Sequence, residues 1–335
     1  MSIEDEHDAQ AGIRRLRELL TEPVTALVPP ASRYALLGFP HHSNAGDSAI
    51  WCATRSLLRQ VTGCDPTLSS SPAGFRVKWL SSHLDGQVIV LQGGGNFGDV
   101  WPWEHEYREA VLRKCGGQRV IQMPQSIHFD SMARLHATRD VIKQHGRFTL
   151  LVRDTESFDI ASNELQCDVR LVPDIVFALD VPPPEDPPAQ RRLWLLREDR
   201  ETTRDSASMP ADHIDWHDPP HDPALQRLDR LERMAHYLPW LVTRRSSVEA
   251  CDAAAERRLS HALHLLSRGS VVVTNRLHGH ILCTLLGRRH VVLDTKQRKI
   301  SNFIKTWNTA YPELCRVAGS YAEAEQMADE LERAS

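Results

Sequence analysis

The feature that most limits the fold of this chain is an alternation of short, uninterrupted apolar runs with stretches of helical spacing. YALLGF (34–39), VIVLQ (88–92), RVIQMP (119–124), TLLVRD (149–154) and VRLVPD (169–174) read as strands. Between them, 47–60, 104–114, 131–144 and 156–163 read as helices; in the first, Ile50, Ala53, Leu57 and Leu58 share one face. Strands apolar on both faces must be covered on both, and strands separated by helices run parallel. The pattern predicts an α/β fold with doubly wound parallel sheets, preceded by a helical segment over 1–22.

VPPPEDPPAQ (181–190) interrupts the pattern, because its prolines fit neither a helix interior nor a central strand. The expected organisation is an N-terminal α/β domain over 1–182, a Pro-rich linker over 183–190 and a C-terminal α/β domain over 191–335. In the second half, RLWLLRED (192–199), PWLVTRR (239–245), SVVVTN (270–275) and HVVLD (290–294) read as strands. Segments 225–237, 253–267, 279–286 and 321–332 read as helices, and the polar stretch 200–224 as a loop. Two Rossmann-like domains facing a cleft follow, with ligands bound beyond the carboxyl ends of the strands.

Composition removes several classes of function. Lys and Arg total 40 against 44 Asp and Glu, a net charge of −4, which argues against a duplex nucleic-acid binder. The N-terminal MSIEDEHDAQ is polar and acidic, and no apolar run reaches membrane-spanning length, so a cytoplasmic chain is expected. The seven cysteines are scattered without a C-x-x-C pair and read as reduced thiols. His213, His217 and His221 are spaced by four, but Pro219, Pro220 and Pro223 break the helix that spacing would need, so no metal site is expected.

Chemistry is concentrated at strand ends. SVVVTNRLHGH (270–280) runs a strand into Asn275, Arg276, Leu277, His278 and Gly279 at a helix start. Free N–H groups there favour an anion, Arg276 offers a planar fork for phosphate or carboxylate, and His278 can move a proton near neutral pH. An Arg276–Asp pair and a helix-capping His278 would explain the same residues. In LQGGGNFGD (91–99), Gly93, Gly94 and Gly95 let the backbone approach a ligand, with Asn96 and Asp99 available to sugar hydroxyls; a tight turn alone is the other explanation. The run is neither a dinucleotide fingerprint nor a P-loop. In FPHHSNAGDSAIW (39–51), Asn44, Gly46 and Asp47 fit a cleft mouth, while Asp47 or Ser48 fits a helix cap. Arg153 and Arg197 end strands, Arg153 being equally placed to pair with Asp154 or Asp174. Lys296 and Lys299 in DTKQRKISNF (294–303) are anion contacts or a solvated basic loop.

SNAGDSAI, LQGGGNFGD, MPQSIHF, VRDTESF, VPDIVF and TNRLHGHILC…DTKQRKISNF, in this order over roughly 34–305, resemble the polysaccharide pyruvyl transferases. The resemblance implies a two-domain architecture like that of glycosyltransferase-B enzymes. It implies transfer of pyruvate from phosphoenolpyruvate onto two hydroxyls of one sugar, as a ketal, with release of phosphate and with no cofactor beyond the donor. The family's Arg-Leu-His motif falls on Arg276, Leu277 and His278, and its arginine near the start of the second half falls on Arg197. On this reading phosphoenolpyruvate lies in the C-terminal half against Arg276, Arg197 and Lys296, and the glycan of an exopolysaccharide or cell-surface polymer lies in the N-terminal half. His278 is the general acid and Asp47 the base for the acceptor. A lipid-linked acceptor would bring the chain to the inner membrane face without spanning it. A nucleotide-sugar glycosyltransferase shares the architecture, but Glu249 and Glu256, seven apart, do not match its glutamate pair. A non-catalytic glycan binder is the third reading; loss of Arg276 or His278 would favour it, and both are present.

Overall fold

The computed structural model describes residues 3–198, 209–216, 222–294, 298–309, 311 and 313–333. The first sheet contains β1 (Tyr34–Leu37), β2 (Leu68–Ser70), β3 (Val88–Leu91), β4 (Gly94–Gly98), β5 (Val120–His128), β6 (Phe148–Val152) and β7 (Asp168–Leu171). Its order is β2-β1-β3-β5-β6-β7, with β4 paired to β5. The second sheet contains β8 (Gln190–Leu195), β9 (Gly269–Thr274), β10 (Arg289–Leu293) and β11 (Cys315–Ala318), in the order β11-β10-β9-β8. Every pairing among these strands is parallel.

The helices are α1 (Ile3–Leu27), α2 (Ala45–Thr62), α3 (Val77–His83), α4 (Pro102–Lys114), α5 (Met132–His145), α6 (Thr155–Glu164), α7 (Pro223–Tyr237), α8 (Arg244–Ser267), α9 (Leu277–Leu285), α10 (Lys299–Trp307) and α11 (Tyr321–Arg333). Side chains alternate across each strand, so both sheet faces are filled. On the first sheet, Leu36, Val90, Ile121 and Leu151 join a cluster with α1, α2, α8 and α9 that also takes Leu195, Val272 and Val292 from the second sheet. Leu37, Ile89, Leu91, Leu150 and Val152 face the opposite way, onto α3 to α6. The far side of the second sheet packs Trp194, Val271, Val273 and Val291 on α11. One apolar layer is thus common to both sheets.

Pro124 lies inside β5, where a ladder N–H is missing. The strand uses it as a handover: pairing with β3 ends at Gln122, pairing with β4 begins at Gln125, and the register to β6 shifts over the same residues. This handover carries β4 past the end of β3 and brings Gly95 and Asn96 forward.

Several expectations differ from the structure. PWLVTRR is not a strand: Pro239–Leu241 form a 3-10 turn and α8 begins at Arg244. The helical lead-in continues past 22 to Leu27, carrying Pro23 inside it. Of the glycines after β3, Gly94 and Gly95 do not simply end the strand but open β4. β2, α3, α10 and β11 add four elements that the apolar pattern does not reveal. Residues 179–189, around the prolines, form neither helix nor strand.

Candidate active site

A cleft of about 420 Å³ lies at the carboxyl ends of both sheets. Asn44 and Asp47 follow β1, Gly95 and Asn96 lie in β4, Arg153 follows β6, Arg197 follows β8, and Arg276, Leu277 and His278 follow β9. β1 and β3 are neighbours whose outgoing connections lead to opposite sides of the sheet, to β2 and to β5. Such a switch point opens a crevice between the two departing loops.

The turn from β1 into α2 is closed by Asn44. Its Oδ1 accepts from the Gly46 N–H at 3.1 Å and its Nδ2 donates to Asp47 Oδ2 at 2.8 Å. Asn44, not Asp47 or Ser48, is therefore the helix cap, which leaves the Asp47 carboxylate in the cleft wall. Gln92 Nε2 fixes the same turn by donating to the Asp47 carbonyl at 2.9 Å. Gly46 does not line the cleft but makes room for His278: a Cβ there would lie 2.5 Å from His278 Nδ1 and 2.8 Å from its Cβ and Cγ.

His278 is held from its other side by a buried ion pair. Arg153 Nη1 donates to Asp174 Oδ2 at 2.6 Å, and Arg153 Nε donates to Ser126 Oγ at 2.9 Å. His278 Nε2 lies 3.4 Å from both Asp174 Oδ2 and Arg153 Nη1. Burial alone would raise the Asp174 carboxyl, but Arg153 and His278 hold it well below the usual carboxylate range. Asp174 is thus the partner of Arg153. Asp154 instead caps α6, accepting from Ser157 N at 2.8 Å.

Cations converge on the same cleft. A Cβ on Gly95 would lie 3.2 Å from Arg153 Nη2 and 3.1 Å from Lys299 Nζ, so the glycine leaves an opening flanked by two positive groups. Lys299, in the first turn of α10, also reaches the Gly95 carbonyl at 3.4 Å. Lys296 lies outside the described residues. Arg276 forms a two-pronged pair with Asp215, Nε to Oδ1 at 2.5 Å and Nη2 to Oδ2 at 2.6 Å, with Trp216 beside it. The Asp partner considered for Arg276 thus exists, and the guanidinium still lines the cleft. The backbone N–H of Arg197 is fixed by Asn275 Oδ1 at 2.8 Å, which places that side chain beside Arg276 in the wall.

The cleft is also lined by Trp101, Trp103 and Glu104 from the start of α4, none of them singled out by sequence. Burial raises the Glu104 carboxyl, nearby Arg108 lowers it, and Asp47 raises it again, leaving it at about 7. Asn96 presents an edge to the cleft while its Oδ1 accepts from Arg108 Nη2 at 2.8 Å and Gln125 Nε2 at 3.1 Å. The WPWE run (101–104) after a glycine-rich strand carried the signal for this part of the cleft. Asp215 lay inside a polar stretch with no readable pattern.

Other candidates serve the frame. A Cβ on Gly93 would lie 2.8 Å from the Pro124 carbonyl, and one on Gly279 would lie 2.6 Å from Thr274 Oγ1; both glycines permit close packing rather than line the cleft. Gly94, at φ +136, lies behind Asp47. Asp99 accepts from the N–H groups of Asp130 and Ser131 at 3.0 Å and closes a loop. His213 bonds the Pro210 carbonyl, and His217 and His221 lie outside the described residues. Among the described residues, one group has metal-ligand types in close range, His280, His290 and Cys315. It is accounted for by a chain in which Thr309 bonds His280 Nε2 at 2.9 Å, His280 Nδ1 bonds His290 Nε2 at 2.8 Å, and His290 Nδ1 donates to the Arg288 carbonyl at 2.8 Å.

Comparison with known proteins identifies the family. The model of the polysaccharide pyruvyl transferase family matches residues 44–297, a span that begins at Asn44 and contains Arg153, Arg197, Arg276 and His278. The chain is 30% identical over 301 residues to Pyruvyl transferase 1 of Schizosaccharomyces pombe, covering 82% of this chain and 69% of that one. It is 27% identical over 296 residues to EpsO of Bacillus subtilis, covering 85% and 88%. A crystal structure of an uncharacterized protein of Klebsiella pneumoniae shares the fold, with a TM-score of 0.58 at 19% identity over 91% of this chain and 99% of that one. With its motifs gathered around one cleft and the family model matched over residues 44–297, the chain belongs to the polysaccharide pyruvyl transferase family.

Proposed function

We propose that this transferase moves pyruvate from phosphoenolpyruvate onto two hydroxyls of one sugar in an exopolysaccharide or cell-surface glycan, forming a ketal. In this reading the two halves meet as in glycosyltransferase-B enzymes, the acceptor lying against residues before the 183–190 linker and the donor against those after it. The observation that carries the proposal is the polarity of the cleft: Arg153, Arg197, Arg276 and Lys299 line it together with Asp47, Glu104, His278 and three tryptophans. A donor with both a phosphate and a carboxylate needs several cations, and arginine forks suit both groups. A sugar offers apolar ring faces to tryptophan and hydroxyls to a carboxylate.

Chemically, His278 delivers a proton to the donor methylene carbon, which becomes the methyl group. The resulting oxocarbenium-like carbon is attacked by the first sugar hydroxyl, whose proton passes to Glu104. The C–O bond to phosphate then breaks, the second hydroxyl attacks the same carbon, and its proton leaves with phosphate. We assign the base role to Glu104 rather than Asp47, because a carboxyl near 7 can both accept and return a proton at working pH. Burial is the main cause of that rise, and the Asp47 charge adds to it. The arginines stabilise the donor's charge as it moves onto phosphate.

Thermal denaturation with phosphoenolpyruvate, against a panel of nucleotide-sugars, tests the donor. A ligand at about 100 times its Kd stabilises the native state by about 2.7 kcal/mol. Stabilisation by phosphoenolpyruvate should appear in the wild type and vanish in Arg276→Ala. Stabilisation by nucleotide-sugars alone would overturn the assignment.

A further inference from the structure

Among the described residues, a cluster of exposed apolar side chains lies outside the cleft, at the end of α7. Tyr237, Leu238, Trp240 and Leu241 are 69%, 40%, 74% and 55% exposed within five consecutive positions. Pro239–Leu241 form a 3-10 turn, and buried Val242 and Ala235 pin it on either side, so the four side chains project outward by construction. An apolar group of this size on a surface marks an interaction site.

Its rim is basic. From Arg233 to Val248 the chain has Arg233, Arg244 and Arg245 and no acidic residue, and from Pro66 to Leu84 it has Arg76 and Lys78 and none. The two segments are in contact. The Arg76 guanidinium lies 5.9 Å from the Tyr237 ring, His236 Nδ1 bonds the Ala73 carbonyl at 3.1 Å, and Arg244 Nη2 donates to the His83 carbonyl at 3.0 Å. Asp65, Asp85, Glu232 and Glu249 stand at the edges, Glu249 pairing with Arg245 at 2.8 Å. This is a local inversion in a chain of net charge −4. A two-fold contact with a second copy would press like charges together. Tryptophan, tyrosine and leucine set among arginines match the headgroup level of an anionic bilayer, where the rings are half wet and the cations meet lipid phosphates.

We propose that this tip is a membrane-docking surface for anionic lipid. Its position suits the cleft, because α7 joins them: Asp229 accepts from cleft-lining His41 at 2.7 Å, and Tyr237 stands eight residues further along the helix, about 12 Å away. Docking would hold the cleft mouth within reach of a lipid-linked head group. The surface is argued from exposure and charge alone and does not depend on the donor.

Vesicle co-sedimentation tests it, with phosphatidylcholine vesicles containing about one third phosphatidylglycerol against pure phosphatidylcholine. The wild type should bind the anionic vesicles and lose them as salt is raised. Arg233→Gln/Arg245→Gln should weaken binding roughly thirtyfold, and Trp240→Ser/Leu241→Ser about tenfold or more, with unchanged melting temperatures. Absence of wild-type binding, or binding by both variants as tight as the wild type's, overturns the proposal. So does a shift of Trp240→Ser/Leu241→Ser from dimer to monomer in light scattering, which would assign the tip to a second copy.

Discussion

Gly46→Ala is the smallest change that isolates the placement of His278. The added methyl would lie 2.5 Å from Nδ1, about 1 Å inside ordinary contact, and 2.8 Å from both Cβ and Cγ. Because His278 Cβ is itself only 2.8 Å away, a rotation of the side chain alone cannot relieve the contact; α2 and α9 must separate or the histidine must shift. A displacement near 1 Å of a reacting group costs about a hundredfold in rate. The same substitution elsewhere in a helix would stabilise it by up to about 1 kcal/mol. The expected signature is therefore a melting temperature that does not rise and a kcat reduced about a hundredfold, read as phosphate released from phosphoenolpyruvate. Gly116→Ala is the control, since nothing lies within 4 Å of a Cβ there. Wild-type turnover in Gly46→Ala would refute the link between α2 packing and the proton donor.

Removing one member of the buried pair should be costly. Asp174→Asn leaves Arg153 without its counter-ion and should destabilise the fold by about 3–5 kcal/mol in urea titration. Glu104→Gln should lower kcat about a hundredfold or more and abolish the ionisation near 7 in its pH profile, with little change in melting temperature. Stability should fall steeply with acid. Burial holds His105 and His290 down to about 4 and His280 well below its ordinary value. An unfolded imidazole takes up a proton near 6.5, so between about 6.5 and 4 the unfolded chain binds more protons and is favoured as pH falls, by up to about 3 kcal/mol per histidine. Urea midpoints at neutral and mildly acid pH should show this fall, and His290→Gln should make it shallower.

The parts of the fold legible in sequence are those where apolar runs are long enough to be covered on both sides. VIVL, TLLV and SVVVT became β3, β6 and β9 for that reason. β2 is LSS and β11 is CRVA, too short and mixed to stand out, and each adds an edge to its sheet. PWLVTRR misled because Trp240 and Leu241 are exposed and only Val242 is buried; Pro239 and the following helix start decide its shape. In the site, strand-end positions were readable, since a polar residue after a buried strand has few other places to go. Arg153, Arg197, Arg276 and His278 all line the cleft. The partner of Arg276 was less readable, because pairing depends on tertiary placement: Asp215 comes from a loop. Glu104, in the first turn of α4, reaches the cleft for the same tertiary reason. The separate roles of the glycines were also hidden. Only the structure distinguishes Gly46, which makes room for a histidine, from Gly95, which opens between two cations.

Turnover itself tests the central claim most directly. Wild type and His278→Ala are each incubated with phosphoenolpyruvate and a panel of glycans, and released phosphate is measured beside the ketal methyl signal of the products. The account predicts equal amounts of phosphate and ketal from the wild type, and neither from His278→Ala, which should still be stabilised by the donor. Equal turnover by both proteins would contradict it, as would release of a nucleoside diphosphate from a nucleotide-sugar with no phosphate from phosphoenolpyruvate.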